Sequence, residues 1–256
     1  MHRALVIVFS LTASAAAAGV TPGGLADTVL GSAGLSTVVT HDNQSPFTLT
    51  RGWSSAAPGS GTITNNGGQA GWVVASGVST DYFATTDSVS QTRTGRVTLD
   101  ESDGARTQAV VSHGLGASAF IPGPVSYTLS VIVTPTVHAL TGDSNASLSM
   151  GFWVNMYGVN GPNILLSDSI DIDLRSPSGV YTYSANGIFD PGSQPGSLFI
   201  SSDSALSAVV DAPGESADVA YTMSIRLDLA PVPAPGTLTA AIACGVMVGR
   251  RRRVST

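Results

Sequence analysis

The chain has 256 residues, 43% of them hydrophobic and only 11% charged, with a formal net charge of −6. Every basic residue is Arg; five of the eleven lie at the two ends, so the intervening body carries six Arg against all 17 acidic residues. That balance excludes nucleic acid as a partner, since affinity there rests on neutralising phosphates, and the lone Cys244 excludes an internal disulfide.

Residues 1–18 read as a secretory signal peptide, a short helix removed by signal peptidase. His2 and Arg3 form its positive start, Ala4 to Leu11 its apolar segment, and Ala16, Ala17 and Ala18 the small residues at the cleavage point. The apolar segment is far too short to cross a bilayer.

Residues 19–230 read as one all-β domain, a jelly-roll-like β-sandwich. Helical periodicity is nearly absent, and period-two alternation is abundant. In chain order the expected strands are Leu35–His41, Phe47–Trp53, Gly71–Ser76 and Arg106–His113. Next comes the stripe Val125, Tyr127, Leu129, Val131, Val133, then the stripe Leu148, Met150, Phe152, Val154, Met156. Asn163–Arg175, Tyr181–Ser184, Leu198–Ser201 and Leu206–Asp211 follow, and the series closes on Val219, Tyr221, Met223, Ile225, Leu227, Leu229. Stretches rich in Gly, Pro or Asn, such as Ala57–Gly61 and Asn65–Gly68, read as breaks. Long one-sided stripes fit sheets with one face on a core and the other on solvent, and many such strands at close spacing fit two packed sheets.

Within the body, Asp168, Asp171 and Asp173 are the metal candidates. Carboxylates at that spacing suit Ca²⁺, but the ion wants six to eight oxygens and a strand surface seldom converges so many; a solvated polar face is the competing reading. Trp153, Tyr181 and Tyr183 are candidates for stacking on sugar rings, against the alternative of packing between sheets. His41, His113 and His138 are isolated, and neither H-E-x-x-H nor G-x-S-x-G occurs. No enzymatic activity and no cofactor is expected.

Residues 231–256 have three parts. Val232-Pro233-Ala234-Pro235 is a rigid non-helical motif, Thr237–Gly249 is an apolar run expected to form a short transmembrane helix, and Arg250, Arg251, Arg252 and Arg253 close it with positive charge. An apolar run followed by Arg marks a stop-transfer segment with its charged end in the cytoplasm. This order resembles the PEP-CTERM sorting domain of Gram-negative bacteria, with Ala234 where that family commonly has Glu. The resemblance implies an exosortase as processing partner, a transient membrane anchorage, and a destination at the cell surface or in an exopolysaccharide matrix. The expected function is therefore that of an exported structural or adhesive surface protein. The alternatives are a carbohydrate-binding module, with or without calcium, and a secreted hydrolase.

Overall fold

A computed structural model describes residues 30–42, 44–55, 59–85, 87–103, 106–176 and 179–232. Residues 1–29, which include the expected signal peptide, and residues 233–256, which include most of the expected sorting tail, lie outside the described residues. Among the described residues there is no helix, and hence none long and apolar enough to cross a membrane.

The described residues form twelve strands: β1 (Leu30–His41), β2 (Phe47–Ser55), β3 (Gly59–Gln69), β4 (Trp72–Ala84), β5 (Ser88–Glu101) and β6 (Thr107–Ile121) come first. β7 (Val125–Leu140), β8 (Asn145–Gly158), β9 (Gly161–Asp173), β10 (Tyr181–Phe189), β11 (Gly196–Val210) and β12 (Ser216–Pro231) complete it. They form two six-stranded sheets, all pairs antiparallel. The first has the order β2-β1-β6-β11-β8-β9 and the second β10-β7-β12-β5-β4-β3.

The sheets pack as a sandwich because each alternating stripe has one apolar face to hide. Leu148, Met150, Phe152, Val154 and Met156 of β8 and Leu198, Ile200 and Leu206 of β11 face Leu129, Val131 and Val133 of β7 and the whole stripe of β12. Each such side chain contributes about 1.5–3 kcal/mol by leaving water. These stripes were legible in the sequence because apolar residues hold every second position.

Three expectations are corrected. The stretch Asn65–Gly68 is not a break but part of edge strand β3, whose inward Asn65 is buried and donates to Thr37 Oγ1 and the Leu49 carbonyl. β5 was not expected at all: its inward face carries Gln91 and Arg93 between Val89 and Val97, so apolar alternation fails there. The two expected segments Leu198–Ser201 and Leu206–Asp211 are one strand, β11, whose middle turns Ser202 and Ser204 inward. Elsewhere strands run longer than their apolar cores, β4 to Ala84 and β10 to Phe189, because a ladder continues wherever a neighbour offers its backbone.

Candidate functional site

The structure separates the three aromatic candidates. Tyr181 and Tyr183 stand on the inner face of edge strand β10, half-buried against the core, and Tyr183 meets Phe152 edge-on at 4.8 Å between ring centroids. Burial, then the nearby Asp168 carboxylate and Tyr181, hold the Tyr183 hydroxyl above its ordinary titration range. Trp153 points out of the first sheet, away from the core, and is 36% exposed.

The three Asp candidates also divide. Asp171 and Asp173 project outward from β9 beside Ser149 and Ser147 of β8. Asp168 shares the face of Ile170 and Ile172 but sits exposed where the sheets part, next to Tyr183. Asp168 Oδ1 accepts the Ser169 N–H at 2.8 Å and Asp173 Oδ1 the Arg175 N–H at 2.9 Å. Among the described residues no three His, Cys, Asp or Glu side chains are grouped to hold a metal ion.

His41 has partners that sequence reading did not foresee. Its Nδ1 shares a 2.7 Å hydrogen bond with Thr107 Oγ1, and Nε2 lies 3.4 Å from Asp103 Oδ2. The order hydroxyl, imidazole, carboxylate is that of a nucleophilic triad, but Thr107 is fully buried and its hydroxyl cannot meet a substrate. The group ties the start of β6 to the end of β1. An open depression of about 700 Å³, lined by His138, Leu140, Ser144 and Arg175, lies at one end of the sandwich. There the Arg175 guanidinium is already committed to the carbonyls of Ser144 and Gly142.

The remaining polar and aromatic convergence is on the outer face of the first sheet, around Trp153. Register brings Gly52, Gly34, Gly114, Asp203, Gly151 and Ser169 into one row across β2, β1, β6, β11, β8 and β9. Asp203 and Ser169 are the only members of that row with side chains, so the row forms a trough. Above Gly34 it is open, since an added Cβ would meet nothing within 4 Å. At Gly151 it is walled: a Cβ there would stand 2.7 Å from Asp203 Oδ1 and 2.8 Å from Trp153 Cη2. The indole edge and the carboxylate thus meet above one glycine.

The next row places Ser167, Trp153, Ser201, Gly116, Ser32 and Ser54 side by side. Two residues further along β8 on the same face come Asn155 and then Tyr157, the latter 40% exposed and 3.5 Å from Asn155 Nδ2. Asp203 takes part in none of the ion pairs formed among the described residues, and no Arg shares a row with it or with Trp153. Sequence reading found Trp153 by its residue type but missed Asp203 and Gly151, which lie about 50 positions apart and meet only through the β8–β11 register.

No protein-family model matches the sequence, and no curated protein matches it. Among solved structures, the chain is similar to the enzymatically active domain of tailspike protein 4 from bacteriophage CBA120, at 12% identity and a TM-score of 0.17. That match covers 59% of this chain and 19% of the tailspike domain's chain, so this chain spans about a fifth of that chain's length. It is also similar to the carbohydrate-binding module TmCBM61, solved with beta-1,4-galactotriose, at 8% identity and a TM-score of 0.20, over 64% of this chain and 86% of that one. A third likeness is to infectious bursal disease virus, Gx strain, at 11% identity and a TM-score of 0.21, over 88% and 72% of the two chains. Nothing about function follows from likenesses at these values.

Proposed function

We propose that this chain is an exported, non-enzymatic carbohydrate-binding protein displayed at the surface of a Gram-negative-type bacterium. The observation that carries the binding reading is the meeting of Trp153 and Asp203 over Gly151, in a glycine row that is open above Gly34. An exposed indole offers a flat apolar face to the C–H side of a sugar ring, and an unpaired carboxylate beside it accepts hydrogen bonds from ring hydroxyls. Asn155 and Tyr157 extend the same face with a further amide and phenol. An open trough suits a polymer that continues past the site better than a small enclosed ligand.

Charge narrows the ligand to neutral glycans. Asp203, Asp171 and Asp173 all project from this face, and the chain holds no Lys to answer a uronate or sulfate. Adhesion to neutral exopolysaccharide is then how the protein serves a matrix.

The eight strands β5–β12 support the jelly-roll form of the sandwich. Renumbered one to eight, they run 6-3-8-1 in one sheet and 2-7-4-5 in the other, a winding of two Greek keys. β1–β2 and β3–β4 extend the two sheets beyond that unit.

The sorting reading rests on Val232 to Pro235 and Arg250 to Arg253, with the exosortase and signal peptidase as its processing partners. β12 ends at Pro231 and Val232 N–H still bonds the Pro124 carbonyl at 3.2 Å, so the domain reaches the motif with almost no spacer.

Affinity electrophoresis of the full chain through gels holding neutral or uronate polysaccharides tests the binding reading. Retardation by a neutral glycan, lost in Trp153→Ala, is expected. Equal mobility in every gel overturns it. Mass spectrometry of the surface form tests the sorting reading separately: a C-terminus at Thr256 means that the tail is not cleaved.

A further inference from the structure

One patch of the interior between the sheets is polar. β5 places Gln91 and Arg93 two residues apart on its inward face, and both are fully buried. Arg93 reaches across to the other sheet, where its Nη1 donates to the Ser202 carbonyl of β11 at 3.3 Å. Its guanidinium carbon lies 5.7 Å from the centroid of the Tyr221 ring, and the Tyr221 hydroxyl shares a 2.6 Å hydrogen bond with Ser204.

These contacts leave much of the patch unmet. Arg93 Nε and Nη2, both polar atoms of the Gln91 amide, and Ser202 Oγ have no hydrogen-bond partner among the described residues. The ion pairs among the described residues do not include Arg93. Asp203, next to Ser202 in sequence, faces the other side of β11.

A guanidinium keeps its proton at any pH a protein survives, and an isolated buried charge is among the costliest things a core can hold. The Tyr221 ring and hydroxyl both face the guanidinium and offset part of that cost, but neither carries a formal charge. Among the described residues no carboxylate supplies the missing one.

We propose that the interlayer space beside Arg93 binds a small monovalent inorganic anion of the chloride class. Arg93 Nε and Nη2 supply the charge, and Gln91 Nε2 and Ser202 Oγ supply neutral donors from both sheets. An N–H or O–H donor set with no competing carboxylate selects an anion over a cation. The surrounding Met223, Ile225, Phe152 and Met150, all buried, leave no polar path for a large or polyvalent one. The anion would thereby join β5 to β11, strands of opposite sheets. The inference is independent of the glycan reading.

Thermal unfolding of the full chain in sodium chloride against sodium gluconate at equal ionic strength tests it, because gluconate is too large to enter. The midpoint is expected to rise by about 3–6 °C at saturating chloride, by mass action on the native state, and Arg93→Met is expected to lose that rise. Equal midpoints for the unmodified chain in the two salts overturn the proposal. If Arg93→Met does not fold, bromide-soaked crystals of the unmodified chain decide the matter. An anomalous peak within hydrogen-bond reach of Arg93 and Gln91 supports the site, and its absence overturns it.

Discussion

The two outer faces of the sandwich are built from the same residue types and use them in opposite ways. On the second sheet, Thr62, Ser79, Thr94, Thr222 and Thr134 align across β3, β4, β5, β12 and β7. Thr62 bonds Ser79 and Thr94 bonds Thr222, each at 3.3 Å. Arg96 grips both oxygens of Asp218 at 2.8 and 2.6 Å, and Arg226 pairs with Asp228. These polar groups satisfy one another, although the same face also exposes Asp81 and Phe83 of β4. On the first sheet the corresponding rows hold glycines, an exposed indole and an Asp203 that forms no ion pair among the described residues. A face whose groups are mutually paired has little left to offer a ligand, whereas an unpaired carboxylate beside an exposed aromatic does.

Trp153→Ala gives the sharpest test of that contrast. Glycan affinity is expected to fall at least about tenfold, the loss typical of a central aromatic contact, with the β-type far-UV spectrum retained. The double variant Thr94→Val with Thr222→Val is the matched control on the other face. Loss of binding in the control, with Trp153→Ala unaffected, would reverse the assignment of the faces.

Asp203→Asn keeps the shape and removes the charge. A loss of about three- to tenfold in affinity for the neutral glycan is expected from weaker acceptance of hydroxyl protons, measured by titration calorimetry. Unchanged affinity would leave the indole acting alone.

Gly151→Ala addresses the geometry. The new Cβ forces aside the Asp203 carboxylate and the Trp153 ring, both free side-chain ends, so the fold survives. Binding weakens by about two- to fivefold, on the scale of a displaced polar contact. An affinity equal to that of the unmodified chain would show that the close approach is irrelevant to the ligand.

The smallest effect belongs to the other face and appears only in stability. The Arg96 hydrogen bonds hold the Asp218 carboxyl below its ordinary titration range. A depressed folded-state value stabilises the protein above the unfolded value, about pH 4, and that stability is lost as pH falls through the folded value. Asp218→Asn should cost about 1 kcal/mol at pH 7 and nearly nothing once Asp218 is protonated, with no change in glycan affinity. Denaturant unfolding at both pH values measures it.

How much was legible in the sequence follows the polarity of the core. Where the interior is apolar, as along β7, β8 and β12, alternation marked the middle of each strand, although every one runs past its stripe, β7 as far as Leu140. Expectation failed at β3, β5 and the middle of β11, where Asn65, Gln91, Arg93, Ser202 and Ser204 point inward. A rule that assigns polar residues to the outside must misread a strand whose buried face is polar. Two of those failures, in β5 and β11, meet in space at the proposed anion site.

By itself the sequence determined the all-β class, the one-sided stripes and the residue types available for a site, because alternation is a local property of neighbouring side chains. Strand order, register and the pairing of distant positions were decided only by the tertiary structure. Nothing local in β8 announces that Gly151 lies opposite Asp203, or that Trp153 faces away from Tyr181 and Tyr183. A one-residue slip of β11 against β8 would turn Asp203 into the core, and what excludes that slip is the simultaneous burial of Leu198, Ile200, Leu206, Ala208 and Val210 on the other face.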